Sequence, residues 1–123
     1  MTEIGERKGF VDRGDPAAID FTTSHFTTDG TYRDLDLSSI VPAGAVAVSL
    51  SVLIYDNAAG SFFGFRKKGN SNDVNRARIR TQVSNEVIEG DLVVAVDKDR
   101  KVQYIGSNLT FSEIDVVVKG WWI

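Results

Sequence analysis

The chain contains no cysteine. That excludes disulfides, thiolate metal sites and cysteine nucleophiles together. It has one histidine, His25, so a single subunit cannot assemble a His-rich metal site. No serine–histidine–acid arrangement with a nucleophile turn can be drawn, and no glycine-rich phosphate loop occurs. The longest apolar run, "AVAVSLSVLIY" at 45–55, is too short to span a bilayer and is interrupted by Ser49 and Ser51. The opening "MTEIGERKGF" lacks the apolar centre of a signal peptide. These absences predict a non-enzyme without cofactor or metal, made in the cytoplasm and not inserted in a membrane.

What is present suits one globular domain. The 123 residues are 42% hydrophobic and 25% charged, enough to bury roughly two-thirds of the unfolded surface without staples. Residues 1–17 are charged and lack periodicity, which predicts a flexible arm. From residue 18 the segments read as strands: 18–27, 31–37, 45–55, then "SFFGFRKK", "RARIRTQV", "DLVVAV", "KVQYIG" and "FSEIDVVVKGWWI". Turn signals such as "DG", "VPAG" and "DNAAG" separate them. No convincing helix appears. Eight short, regularly spaced strands predict a single all-β domain over 18–123, an eight-stranded jelly-roll-like antiparallel sandwich. In 45–55, Val46, Val48, Leu50, Val52 and Ile54 share one face; the other carries only small or uncharged side chains, which predicts packing on both sides.

Charge is unevenly placed. Residues 66–80 hold six Lys/Arg against Asp73, a local +5, so a chain of −3 leaves −8 for the rest. That overall sign argues against nucleic-acid binding. With Lys68 set opposite Arg76, Phe65 faces Ile79, Phe63 faces Thr81, Gly64 faces Arg80 and Arg66 faces Arg78. Opposed like charges destabilise a sheet by up to about 1 kcal/mol. An anion is therefore required: a carboxylate such as Glu113 or Asp115, one from a neighbouring subunit, or a ligand. Arg66, Arg78 and Arg80 are thus expected to form a charge network. The loop 69–75 offers short amides at Asn70, Asn72 and Asn75, suited to sugar hydroxyls, and loops on rigid scaffolds commonly carry binding. Trp121 and Trp122 must point to opposite faces. One indole plugs the core; the other meets a sugar or a subunit. Trp121 is carried as a candidate ligand contact, Trp122 as a candidate interface residue.

Other motifs favour plain readings. Asp34 and Asp36 share a strand face and are expected to be solvated. "DKD" at 97–99 lacks the remainder of a calcium loop and reads as a hairpin turn. "RGD" at 13–15 is a three-letter coincidence. His25 is expected to pack half-buried.

The strings "LDLSSIVPAGAVAVSLSVLIYDNAAGSFFGFRKKGNSN", "RTQV", "DLVVAVDKDRKVQYIGSN" and "VVVKGWWI" together resemble small β-sandwich domains near the C-termini of phage and prophage tail-fibre-like proteins. The similarity covers about residues 17–123, with "VPAGA", "FRKKGNSN" and "GWW" its most specific parts. The chain has no stretch like the long shaft of such fibres. The resemblance implies a virion-associated structural and receptor-recognition domain that forms a homotrimer and binds a cell-surface glycan or protein. It transfers no catalytic residue. A free-standing carbohydrate-binding module is the alternative expectation.

Overall fold

The computed structural model describes residues 9–123. Its strands are β1 Phe10–Asp12, β2 Arg33–Asp36, β3 Ala47–Asp56, β4 Phe62–Lys67, β5 Ala77–Arg80, β6 Ile88–Ala95, β7 Lys101–Gly106 and β8 Phe111–Trp122. They form two four-stranded antiparallel sheets, ordered β1-β8-β3-β6 and β2-β7-β4-β5. The pairings nest: β1 with β8, β2 with β7, β3 with β6, β4 with β5. That is one long antiparallel ribbon folded at β4–β5. Curling the ribbon adds β3–β8 and β4–β7, which makes an eight-stranded jelly roll. No helix among the described residues is long and apolar enough to cross a membrane.

Period-two alternation builds the core. Val48, Leu50, Val52 and Ile54 of β3 meet Ile114, Val116 and Val118 of β8 on the inner face of the first sheet, and all are buried. The second sheet contributes Leu35, Val102, Tyr104, Phe63 and Phe65. Phe26, Phe63, Phe65 and Tyr104 pack edge-on at centroid distances of 4.9 to 5.3 Å. The Tyr104 hydroxyl accepts a 2.9 Å hydrogen bond from the Thr27 amide, so its polar end is satisfied. Each such side chain contributes about 1.5–3 kcal/mol by leaving water. Val46 departs from the expected buried face and is 59% exposed. It precedes β3 at the rim, where its amide and carbonyl bond Trp122 and Val96.

Two segments exchange roles relative to the sequence reading. Of the expected arm 1–17, residues 1–8 lie outside the described residues, while Phe10–Asp12 is strand β1, laid antiparallel along β8. Residues 18–27, expected as a strand, keep only a bridge from Phe21 to Val116 and a 3-10 turn at Thr23–His25. His25 is exposed there, and its Nδ1 accepts from the Thr22 amide at 2.9 Å. A bulge explains why no regular strand continues. Ser49 pairs with Gly120 but Leu50 with Val118, leaving Lys119 as an extra residue in β8. Side chains repair the interrupted ladder. Asp20 Oδ2 accepts the Val118 amide at 2.9 Å, Arg13 Nη1 donates to the Val118 carbonyl at 3.1 Å, and the two side chains form an ion pair. The arginine of "RGD" is therefore a bulge clamp.

Candidate functional site

The outer face of the second sheet gathers the cations of the opening hairpin. Its register differs from the expectation by two residues. Phe63 pairs with Ile79, Gly64 with Arg78 and Phe65 with Ala77. A two-residue slip preserves which face each side chain occupies but changes its partner. The register is fixed at the far end from the loop, where Thr81 and Ser61 are buried together. The Thr81 amide donates to the Ser61 carbonyl at 2.8 Å, and the Ser61 amide to Thr81 Oγ1 at 3.0 Å. Arg78 consequently lies across Gly64, and Arg66 sits beside Gln103. The feared opposition of Arg66 and Arg78 does not occur.

Two aromatic side chains order the arginines. The Arg66 guanidinium carbon lies 3.6 Å from the Tyr32 ring centroid. Arg78 lies 4.0 Å and Arg80 5.0 Å from the centroid of Phe62. Arg78 Nη2 donates to the Tyr32 hydroxyl at 3.3 Å, joining the two stacks. Each stack contributes roughly 0.5–1 kcal/mol at such a partly exposed site. Arg66 Nε donates to Gln103 Oε1 at 2.9 Å, and Gln103 in turn donates to Asp34, which pairs with Lys68. Arg80 Nη1 donates to the Gly60 carbonyl at 2.9 Å. The result is a row of oriented guanidiniums on the outer face, with Arg80 exposed and Arg66 and Arg78 half-buried. Such forks match carboxylate, sulfate and phosphate oxygens.

The counter-charge for Arg78 comes from the hairpin's own loop. Asp73 pairs with Arg76 at 2.8 Å and Arg78 at 3.0 Å, and accepts from the Tyr32 hydroxyl at 2.5 Å. The Tyr32 bond, with the nearby arginines, holds the Asp73 carboxyl below its ordinary value. Burial, then the Asp73 bond, pushes the Tyr32 hydroxyl above its own. Glu113 and Asp115, expected as alternatives, lie on β8 in the other sheet and do not reach this hairpin. Among the described residues, no carboxylate pairs with Arg66 or Arg80. The Arg78 Nε is buried without a hydrogen-bond partner.

Asn70 and Asn75 line a cleft of about 60 Å³ with Arg66, Arg76 and Val93. Asn72 joins both of them around an open concavity of about 620 Å³ framed by residues 69–75. Loop order comes from Asp73, not from the amides. Asn72→Ala should therefore change stability by no more than about 0.5 kcal/mol in thermal melts. A larger loss would mean that the amide ties the loop.

The tryptophans occupy opposite faces, as strand geometry requires. Trp121, expected as a ligand contact, is the inward indole and packs against the core. Trp122 lies on the outer face of the first sheet, 4.8 Å from Phe10 between ring centroids. Asp34 is exposed beside Lys68, Asp36 caps the Ser38 amide, and Asp97 ties its own turn by accepting the Asp99 and Lys101 amides. Among the described residues no three His, Asp or Glu side chains converge to hold a metal. Tyr32, Phe62 and Gln103 were not singled out in the sequence. The available signal was alternation: Phe62, Gly64 and Arg66 fall on one face, and an aromatic beside arginines on a solvent face is a stacking platform.

No protein-family model matches the chain, and no curated protein matches it.

Proposed function

We propose that the chain is a non-enzymatic assembly and recognition domain, working as a symmetric homo-oligomer at the tip of a virion fibre. The supporting observation is the outer face of the first sheet. Registers place Phe10, Trp122, Ala47 and Ala95 in one row across all four strands. The next row holds Asp12, Gly120, Ser49 and Val93. Phe10 is 49% and Val93 59% exposed, and β3 adds no charge except at its buried last residue, Asp56. Antiparallel sheets with one solvated face carry polar side chains on it. A Phe–Trp pair flanked by alanines and valines fits a covered face. A trimer follows from the tail-fibre resemblance, and the loop 69–75 is the edge free to meet a cell-surface glycan or protein.

The test is molar mass by light scattering at micromolar concentration. We expect an oligomer, and Trp122→Ala should weaken it at least tenfold, the scale of a contact worth about 1.4 kcal/mol. A monomeric wild-type chain would overturn the reading. A free-standing carbohydrate-binding module is the second reading, favoured by the open asparagine-lined concavity. It meets one obstacle: Tyr32 and Phe62 already stack on arginines, so those ring faces are not bare for a sugar. A glycan array with wild type and Asn72→Ala separates the two.

A further inference from the structure

The outer face of the first sheet changes character along its length. Beyond the apolar rows come Val117–Ser51–Asp91, then Asp115–Leu53–Glu89, then Glu113–Tyr55. Lys119 reaches Asp91 at 2.8 Å, but no cation pairs with Glu89, Glu113 or Asp115 among the described residues. Glu113 and Asp115 stand two apart on the same face of β8. They hydrogen-bond to each other, which, with their mutual repulsion, holds the Glu113 carboxyl above its ordinary value. The opposite side of the sandwich carries the reverse: Arg66 and Arg80, oriented by stacking and without a carboxylate.

Self-pairing of either face is therefore unfavourable. Two first-sheet faces would oppose carboxylates to carboxylates or to the apolar row, and the cation they hold, Lys119, already pairs with Asp91. Two second-sheet faces would mainly oppose guanidiniums, because Asp34 and Asp73 on that face are already paired with Lys68, Arg76 and Arg78. First sheet on second sheet brings opposite charges together. We propose that the acidic and apolar outer face of the first sheet docks on the cation–aromatic outer face of the second sheet of the next copy, with Glu113 and Asp115 meeting the Arg66–Arg80 row. This rests on the assembly reading above and specifies its geometry. Such an interface is heterologous, joining two different patches. It closes into a ring when the rotation permits and otherwise continues as a filament. Complementary charge also rejects the wrong face, which is its main contribution to an interface.

Charge exchange tests this in the full chain. Light scattering is run at low salt on wild type, Arg66→Glu, Asp115→Lys, their equimolar mixture, and the double variant R66E/D115K. Thermal melts check that each is folded, and Arg80→Glu replaces Arg66→Glu if the latter is not. Each single variant should fall to monomer mass. The double variant should regain the wild-type mass, because it restores an opposite-sign pair at every junction. The mixture should associate beyond monomer without closing an odd-numbered ring, since one junction of such a ring would oppose like charges. An oligomeric wild type with both single variants unchanged would overturn the proposal while leaving assembly intact. Loss with Arg66→Glu alone, and none with Asp115→Lys, would assign the guanidiniums to a different anion, such as an acidic glycan, and overturn it equally. A monomeric wild type would remove the assembly reading itself.

Discussion

Asp56→Ala should lower the melting temperature by about 10 °C, one of the two largest effects expected from a single substitution here. Asp56 ends β3, is fully buried, and has no cation beside it among the described residues. Its carboxylate is satisfied by neutral donors. Oδ2 accepts from the Ser61 hydroxyl and, at 2.9 Å, from Asn108 Nδ2; Oδ1 accepts the Asn57 amide at 2.7 Å. Its carbonyl takes the Asn85 amide at 2.8 Å. One residue thus joins the β3–β4 turn to the segments around 85 and 108. Alanine keeps the carbonyl that Asn85 bonds but leaves the buried Ser61 hydroxyl and the half-buried Asn108 amide without their acceptor, at about 1–3 kcal/mol for each. A total near 3 kcal/mol corresponds to about 10 °C in a domain of this size. The pH dependence follows in sign. Burial alone would raise this carboxyl, but the bonds from Ser61, Asn108 and Asn57 outweigh it, and it lies below its ordinary value. A depressed folded value means that the stabilisation is complete above the unfolded value of about 3.9 and is lost as pH falls through the folded one. The gap between wild type and Asp56→Ala should stay constant above about pH 5 and narrow below about pH 4. A gap that widens in acid would show that the carboxyl is raised.

Gly64→Ala is the second. An added Cβ would stand 2.4 Å from Arg78 Cγ and 2.5 Å from the Ala77 carbonyl oxygen. The arginine stem could swing, but the backbone oxygen belongs to the paired strand and cannot. Overpacking of this kind costs about 1–3 kcal/mol. The value should lie at the upper end because Arg78 would also leave Phe62 and Asp73. Gly90 provides the control: a Cβ there meets nothing within 4 Å, so Gly90→Ala should be neutral or slightly stabilising. Equal melting temperatures for the two variants would contradict the close approach at Gly64.

Face-by-face patterning was legible in the chain, and partner-by-partner pairing was not. The inward set on β3, the inward Phe63, Phe65 and Ile79, and the divergence of the two tryptophans all follow from period two alone. β1 was not readable, since three residues, Phe10–Asp12, are too few to show alternation. The hairpin register escaped because its determinant, the buried Ser61–Thr81 pair, lies away from the loop. The counter-ion of Arg78 was sought in distant strands, although Asp73 stood five positions away. Asp56 was hidden in "DNAAG", a turn whose polar residues ordinarily face water.

The nested strand pairs also dictate an order of folding. Only β4–β5 closes a short loop; each successive pair spans more chain, until β1 must find β8 across nearly the whole sequence. Pairings of such wide separation are slow, because the entropy of closure precedes the contacts that reward it. Synthesis sharpens the delay. β8, the central partner of β3, is the last of these eight strands to be synthesised, so the apolar β3 waits for it with one edge unpaired. A nascent chain in that condition is aggregation-prone, and soluble yield during expression should respond to anything that hastens the arrival of residues 111–122.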